Sequence, residues 1–387
     1  MFKFTLDVGA FLKLQRRLVG VAASDKDATV NFTLEGSDLT VRYKSKLGRS
    51  ETSSLFLEKL STLKAENTGS STVRVQELLG IKMEPYSKEG KFPFSREVSF
   101  NFQNSVLKTS WEVQHSETQS SKVNLAHAIL KNMPDLSEFS KLEEDRETWV
   151  ELSSADLQET IAYCNLFKAD ATSRGSNGCL FEVSGEKLIS VGTDSIVASK
   201  FEVPITGQNL KDPFKLVIDN TVLVFIKTFT SDVESVKLSP TKRFLFVESS
   251  GRCMCVPLMN VKYNIQNPED FFKVDSPFLG TIDSPPIIGI MQTLTYLSTD
   301  VHSKVELDLK EGKLNIRTSK NSTEDLPCDL VQDALIKVNS GLFLTGIKKI
   351  DSFCKQPVQI FFNEKNRRIM LSSPQRELVF LIQGMRD

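Results

Sequence analysis

The sequence predicts an α+β fold in which one unit is written three times in tandem. Three observations carry that prediction. The stretches "NFTLEGSDLTV" (31–41), "LFEVSGEKLISV" (180–191) and "ELDLKEGKLNI" (306–316) each alternate apolar and polar residues, break at Gly36, Gly185 or Gly312, and resume at Leu39, Leu188 or Leu314. That is the pattern of a hairpin with one buried face. A segment of helical periodicity precedes each hairpin (7–23, 153–170, 283–298), and a second follows each (54–67, 219–232, 340–353). Self-similarity along the chain outranks any local motif as a guide to architecture.

The first helical segment places Phe11, Leu14 and Leu18 on one face and Lys13, Arg16 and Arg17 on the other. Asp7, Ser153 or Ser154, and Asp283 stand where N-caps belong, because a short polar side chain can accept from the free amides of the first turn. Among the later helices, Val222, Phe225, Ile226 and Phe229 show the spacing of a packed face, as do Phe343, Ile347 and Ile350. In the second and third copies a strand precedes that helix, "FKLVI" (214–218) and "ALIKV" (334–338). "SVKLSPTKRFLFVES" and "PVQIFFNEKNRRIMLSSPQRELVFLIQ" supply the closing strands. The unit therefore reads strand, helix, hairpin, strand, helix, hairpin, with two helices on one face of β-sheets, and the domains are expected at 1–140, 147–266 and 275–387. Polar linkers are expected at 137–148 and 264–276, the second packed through Phe271 and Phe272. Residues 82–94 and 114–122 read as surface insertions.

A chain of 387 residues with 48 Lys+Arg against 49 Asp+Glu has a net charge of -1, so no bulk positive field holds nucleic acid across its surface. Any such contact must be local. The start "MFKFTLDVGAFLKL" lacks the parts of a signal peptide, and no apolar run reaches the ~20 residues that span a bilayer. A cytoplasmic protein without a membrane partner is expected. Six scattered cysteines in a chain of this size read as reduced thiols. Cys253 and Cys255 share one face of a strand with no second pair to complete a metal site, so they read as core. The three histidines, His115, His127 and His302, are isolated from any nucleophile pattern. "GTDSIV" (192–197) supplies neither the Gly-x-Ser-x-Gly of a nucleophile elbow nor the lysine of a phosphate loop. No catalytic residue, metal or cofactor is expected, and by turn statistics alone Thr193-Asp194 is a polar turn between strands.

The threefold plan, "SNGCLFEVSGEKLISVGTDSIVASKFEVPI" in the second copy and the ending "ELVFLIQGMRD" together resemble the bacterial-type DNA sliding clamp, the beta subunit of DNA polymerase III. The first copy is similar chiefly through "MFKFTLD" and the helix after it. The resemblance implies a homodimer in which three copies per chain form half of a closed ring, with the helices lining a central hole around double-stranded DNA. It makes Lys13, Arg16, Arg17, Lys59, Lys64, Lys168, Lys227, Lys348, Lys349 and Lys355 the phosphate-facing set, although any one alone reads as a solvated helix charge.

It further implies a hydrophobic pocket for linear peptides of DNA polymerase, the clamp loader and other partners. That pocket falls on Ser176, Thr193, Ser195, Ile196, Val197 and Ala198, with Leu381, Ile382, Gln383, Gly384 and Met385 from the tail. Tyr296 and Leu297 align with the family's apolar interface between chains. Ile196 and Val197 stand where the family has His and Arg, Ser176 and Ala198 where it has leucines, and Gln383-Gly384 where it has Met-Pro. These departures bear on which peptide is preferred and suit a divergent member, such as a phage would encode. An adaptor that keeps the fold while serving transcription or repair recruitment, without closing a ring, is the alternative. A repeat scaffold that never meets DNA is a third.

Overall fold

Each of the three hairpins turns on a glycine in the left-handed region, where a Cβ would be strained. The φ values are +64° at Gly36, +61° at Gly185 and +75° at Gly312. The hairpins pair Thr29–Glu35 with Asp38–Ser45, Gly178–Ser184 with Lys187–Thr193, and Lys304–Lys310 with Lys313–Arg317. The helices are α1 (Val8–Ser24), α2 (Val75–Leu79), α3 (Ser154–Cys164), α4 (Asn220–Phe229), α5 (Pro268–Phe271), α6 (Ser284–Leu297) and α7 (Ser340–Cys354). Asp7 caps α1 by accepting from the Ala10 amide at 3.2 Å. Ser153 caps α3 by accepting from the Asp156 amide at 3.0 Å and donating to its carboxylate at 2.7 Å. Phe11, Leu14 and Leu18 of α1 are fully buried, as are Phe343, Ile347 and Ile350 of α7.

The structure is a computed structural model describing residues 1–47, 52–82, 97–114, 120–130, 135–167, 178–194, 196–210, 212–259, 263, 265, 267–272, 277–297, 304–318, 325–375 and 377–385. These form two compact units, one of Met1–Gln158, Thr206–Asp212 and Thr221–Met259, the other of Glu159–Ile205, Pro213–Asn220 and Asn260–Asp387. The first unit holds a five-stranded and a nine-stranded sheet. Phe4 and Phe100 of the smaller sheet pack on Phe32 of the larger at ring separations of 5.8 and 6.3 Å, with Phe11 of α1 edge-on to Phe100. The second unit holds a nine-stranded and a four-stranded sheet. There α7 lies against Leu371 and Phe380 through Gly346.

The unit boundaries differ from the expected repeat boundaries because the long sheets cross them. In the first unit Ser54–Ser61 pairs antiparallel with Arg252–Pro257; in the second, Val197–Pro204 pairs antiparallel with Leu378–Gln383. In the repeat frame, each pairing joins the fourth strand of one copy to the last strand of the next.

Three backbone hydrogen bonds recur three times and register the copies residue by residue. The residue after the fourth strand donates into its own hairpin turn: Thr62 to Ser37, Ile205 to Glu186 and Cys328 to Gly312. A residue just beyond donates to the copy's first strand, Leu63 to Thr5, Thr206 to Glu151 and Val331 to Leu279, each at 2.8 Å. The residue after the last strand donates to the turn before the preceding one: Ile129 to Ser105 at 3.1 Å, Leu258 to Arg243 at 2.9 Å and Gly384 to Arg367 at 2.7 Å.

Several expectations are corrected. Residues 54–67 form strands Ser54–Ser61 and Lys64–Glu66, not a helix, and the helix in this part of the first copy is the short α2. The run Leu55-Phe56-Leu57 is apolar on consecutive residues because the strand is covered on both faces, a pattern that periodicity alone does not separate from a helix. Segment 137–148 is not a free linker. Ser137–Leu142 is a 3₁₀ turn whose Phe139 and Leu142 sink into a cluster with Leu55, Leu57, Phe246, Cys253 and Cys255. The α3 segment ends at Cys164 and passes into a 3₁₀ turn at Asn165–Phe167. Most of the 82–94 insertion, and part of 114–122, lie outside the described residues.

Candidate functional site

The strand pairing in the second unit brings the Thr193 corner and the C-terminal tail together. Val197 stands opposite Ile382 and Ala198 opposite Leu381. The Gln383 amide continues the ladder by donating to the Ile196 carbonyl at 3.0 Å. The corner is built by Asp194, whose Oδ1 accepts from the amides of both Ile196 and Val197 at 2.8 Å, and by Thr193, whose Oγ1 donates to the Val197 carbonyl at 2.8 Å. An aspartate that satisfies two turn amides holds a loop without glycine. Beneath the corner the Cys164 carbonyl at the end of α3 approaches so closely that a Cβ on Gly192 would lie 2.0 Å from it.

The tail is fixed by residues that sequence patterns did not single out. Gly384 donates to the Arg367 carbonyl, Met385 to the Lys337 carbonyl at 2.9 Å, and the Gln383 side chain to the Asn366 carbonyl at 2.9 Å. Of the expected pocket set, Thr193, Val197, Ala198 and Ile382 are buried and serve as core. Ile196, 59% exposed, stands out as a surface apolar residue, with Gln383 exposed and Leu381, Gly384 and Met385 half-buried. Ser176 and Ser195 lie outside the described residues, as do the side chains of Tyr296 and Leu297 at the end of α6.

The expected cationic set is divided by its surroundings. Lys13 and Arg16 are exposed on α1, Lys227 is exposed on α4, Lys348 and Lys349 are half-buried on α7, and Lys355 is exposed at its C-cap. Lys168 lies outside the described residues. Lys59 and Lys64 are on strands, and Lys64 is paired with Glu97 at 2.9 Å. Arg17 does not face solvent; it is 5% exposed. Each copy keeps one helix that carries lysine, α1, α4 and α7, but neither α3 nor α6 carries a lysine or arginine, and α3 presents Asp156 and Glu159, so the second and third copies do not have two basic-faced helices each.

Arg17 instead belongs to a buried charge network in the first unit. Its Nε and Nη2 donate to the two carboxylate oxygens of Glu58 at 2.9 and 2.6 Å, and the Tyr43 hydroxyl donates to Glu58 at 2.7 Å. Burial, then the Glu58 charge, pushes the Tyr43 hydroxyl well above its ordinary range. Asp232 receives Arg252 Nη2 at 3.0 Å, Lys13 Nζ at 3.4 Å and Arg17 Nη1 at 3.7 Å. The hydrogen bond from Arg252 is the main reason that its carboxyl is held down to about 2, with Arg17 and Lys13 adding to it. On the opposite face of strand Ser54–Ser61, burial pushes the Cys253 and Cys255 thiols up to about 12 and about 11, the state of inert core cysteines.

A cleft of about 400 Å³ beside the 3₁₀ turn is lined by Lys59, Arg146, Lys237, Glu151 and Glu248 among others, so its charges largely offset one another. His127 lies between the Glu77 carboxylate at 3.0 Å and the buried Thr109 hydroxyl at 3.4 Å. Among the described residues no group of three or more His, Cys, Asp or Glu side chains could hold a metal, and no helix is long and apolar enough to cross a membrane.

The whole chain is similar in structure to DNA polymerase III beta sliding clamps. Over 100% of both chains it superposes on the Pseudomonas aeruginosa clamp, crystallised with griselimycin, at a TM-score of 0.78 and 15% identity. A second structure of the beta subunit from that organism gives 0.76 at 15% identity, and a putative beta subunit from Eubacterium rectale gives 0.73 at 15%, both with 100% of each chain covered. No protein-family model and no curated protein matches the sequence. The chain thus has the sliding-clamp fold, mixed α and β, at a sequence distance that marks it as divergent.

Proposed function

We propose that two copies of this chain close a ring around duplex DNA and tether a polymerase, and that the chain is not an enzyme. The observation that carries this reading is the end-to-end match to the clamp fold, with 100% of both chains covered. A ring restrains its cargo by topology, so a tethered polymerase rebinds its template at high effective concentration without strong DNA affinity.

The internal seams support the closure. Each joins a fourth strand to the last strand of the following copy, once at Ser54–Ser61 with Arg252–Pro257 and once at Val197–Pro204 with Leu378–Gln383. The corresponding strands left over are Ser120–Ala128, an edge of the five-stranded sheet, and Leu326–Pro327, an edge of the four-stranded sheet. Pairing these between two chains repeats the seam twice more and leaves neither edge open. Three copies per chain then make a six-unit ring, and opening it to admit DNA requires a loader.

The tethering surface is the corner and tail, where Ile196, Leu381 and Met385 offer apolar side chains to a partner peptide beside the polar Gln383. The acidic α3 and uncharged α6 favour one other reading, an adaptor that keeps the fold without encircling DNA. Sedimentation at micromolar concentration separates the two. A species of twice 43.4 kDa supports the ring, and a monomer at every concentration supports the adaptor.

A further inference from the structure

We infer that the turn Asn363–Arg368 is a charged extension of the corner-and-tail surface, and that the partner segment docking there carries acidic residues beside its apolar ones. That a segment docks there at all rests on the tethering reading; its chemistry rests on the turn and on what covers the equivalent place in the first seam.

The turn lies against the tail. The Arg367 carbonyl accepts from the Gly384 amide at 2.7 Å, and the Arg367 Nη1 donates to the Met385 carbonyl at 3.5 Å. Gln383 stands opposite Arg368 on one side, and on the other its amide donates to the Ile196 carbonyl at 3.0 Å. Rim and turn thus form a row across three neighbouring strands, about 10 Å from end to end. Lys365 and Arg367 are exposed, and among the described residues neither has an ion-pair partner. Arg368 is half-buried, its guanidinium 5.4 Å from the Phe271 ring. Two carboxylates belong to this surface: Glu364 in the same turn, and Asp194, whose Oδ1 is taken up by the Ile196 and Val197 amides. A basic rim beside Ile196, Leu381 and Met385 favours a segment of opposite charge and disfavours a basic one.

The first seam shows such a segment in place. Its ladder pairs Leu55 with Cys255 where the second seam pairs Ala198 with Leu381, the register also set by the equivalent amides of Thr62 and Ile205 and of Leu258 and Gly384. Leu55 and Cys255 are covered by the chain itself, through Phe139 and Leu142 of the 3₁₀ turn Ser137–Leu142. The carboxylates of that segment meet basic side chains, Glu138 with Lys44 at 3.7 Å and Glu143 with Arg42 at 3.5 Å. In sequence it is "PDLSEFSKLEED" (134–145), apolar at every third residue from Leu136 and acidic between and after. At the second seam Leu381 is only half-buried and the exposed cations of the turn have no carboxylate partner. What the first seam takes from its own chain, the second is built to take from a partner.

The probes are two fluorescein-labelled peptides, one with the sequence of residues 134–145 and one with every Asp and Glu of it replaced by Asn or Gln. Anisotropy follows their binding to the full chain across a KCl series. The parent chain is expected to bind the acidic peptide about 3- to 10-fold more tightly at low salt, the range of two exposed ion pairs, and the difference should fade by about 0.5 M KCl. Lys365→Gln/Arg367→Asn should bind both peptides alike, at the affinity of the neutral one; asparagine tolerates the left-handed backbone of Arg367, where φ is +54°. Arg42→Gln/Lys44→Gln, at the first seam, should keep the preference, and its loss there places the peptide on the wrong seam and overturns the inference. Equal binding of both peptides by the parent chain, weakened by Ile196→Ser, keeps the docking surface and overturns its acidic selectivity, whereas binding of neither overturns both. A turn variant that loses affinity for a labelled 30-base-pair duplex while its peptide preference stands unchanged assigns the turn to phosphate and also overturns the inference.

Discussion

Glu58 has no solvent contact, and its two oxygens are held by Arg17 and Tyr43. Neutralising it strands a buried guanidinium, so Glu58→Gln is expected to cost about 3–5 kcal/mol in urea unfolding, against about 1–3 for Tyr43→Phe, which removes one hydrogen bond. Asp232 gives the pH counterpart. Its carboxyl is lowered from 3.8 to about 2 in the folded chain, so it stabilises the fold fully above about pH 4, and that contribution is lost as pH falls through about 2. Asp232→Asn should therefore flatten the acid limb of a stability–pH profile and leave its shape above pH 5 unchanged. Helical periodicity was enough to place Phe11, Leu14 and Leu18 in the core. It could not withdraw Arg17 from the surface, because the partner that draws it inward lies 41 residues away on a strand that reads as a helix.

At the scale of elements, Ser137–Leu142 straps the seam between Ser54–Ser61 and Arg252–Pro257. Phe139 and Leu142 fill the apolar cluster beneath it, while Glu143 reaches Arg42 at 3.5 Å and Arg146 pairs with Glu248 on the other side. The surface ion pairs contribute little, about 0–1 kcal/mol each, so the apolar insertion dominates. Phe139→Ala is expected to cost about 3–5 kcal/mol, read as a lowered urea midpoint. The hairpins were legible from alternation and a turn glycine, and the helices from their caps and apolar faces. The strap was not, since a polar run with two buried residues has the composition of a linker. The corner and tail were legible as a pair only through family likeness. Which side chains turn inward was not legible from alternation, because Val197, Ala198 and Ser199 are all buried at the seam, while Ile196, in the turn before the strand, is on the rim.

For the whole molecule, the ring proposed above takes the two internal seams as the template for its contact between chains. Leu125 lies in Ser120–Ala128, the edge strand left for that contact. A charge placed in an edge strand opposes sheet continuation. Leu125→Lys should shift sedimentation from dimer to monomer at micromolar concentration while leaving a folded far-ultraviolet spectrum. The central claim, that the chain holds DNA by enclosure and not by grip, is tested most directly on a nicked circular plasmid around which the protein has been assembled. In gel filtration at high salt, where phosphate contacts are screened, the account predicts that the protein co-elutes with the circle and is released when one restriction cut makes it linear. Loss from the intact circle at high salt, or retention after the cut, would contradict it.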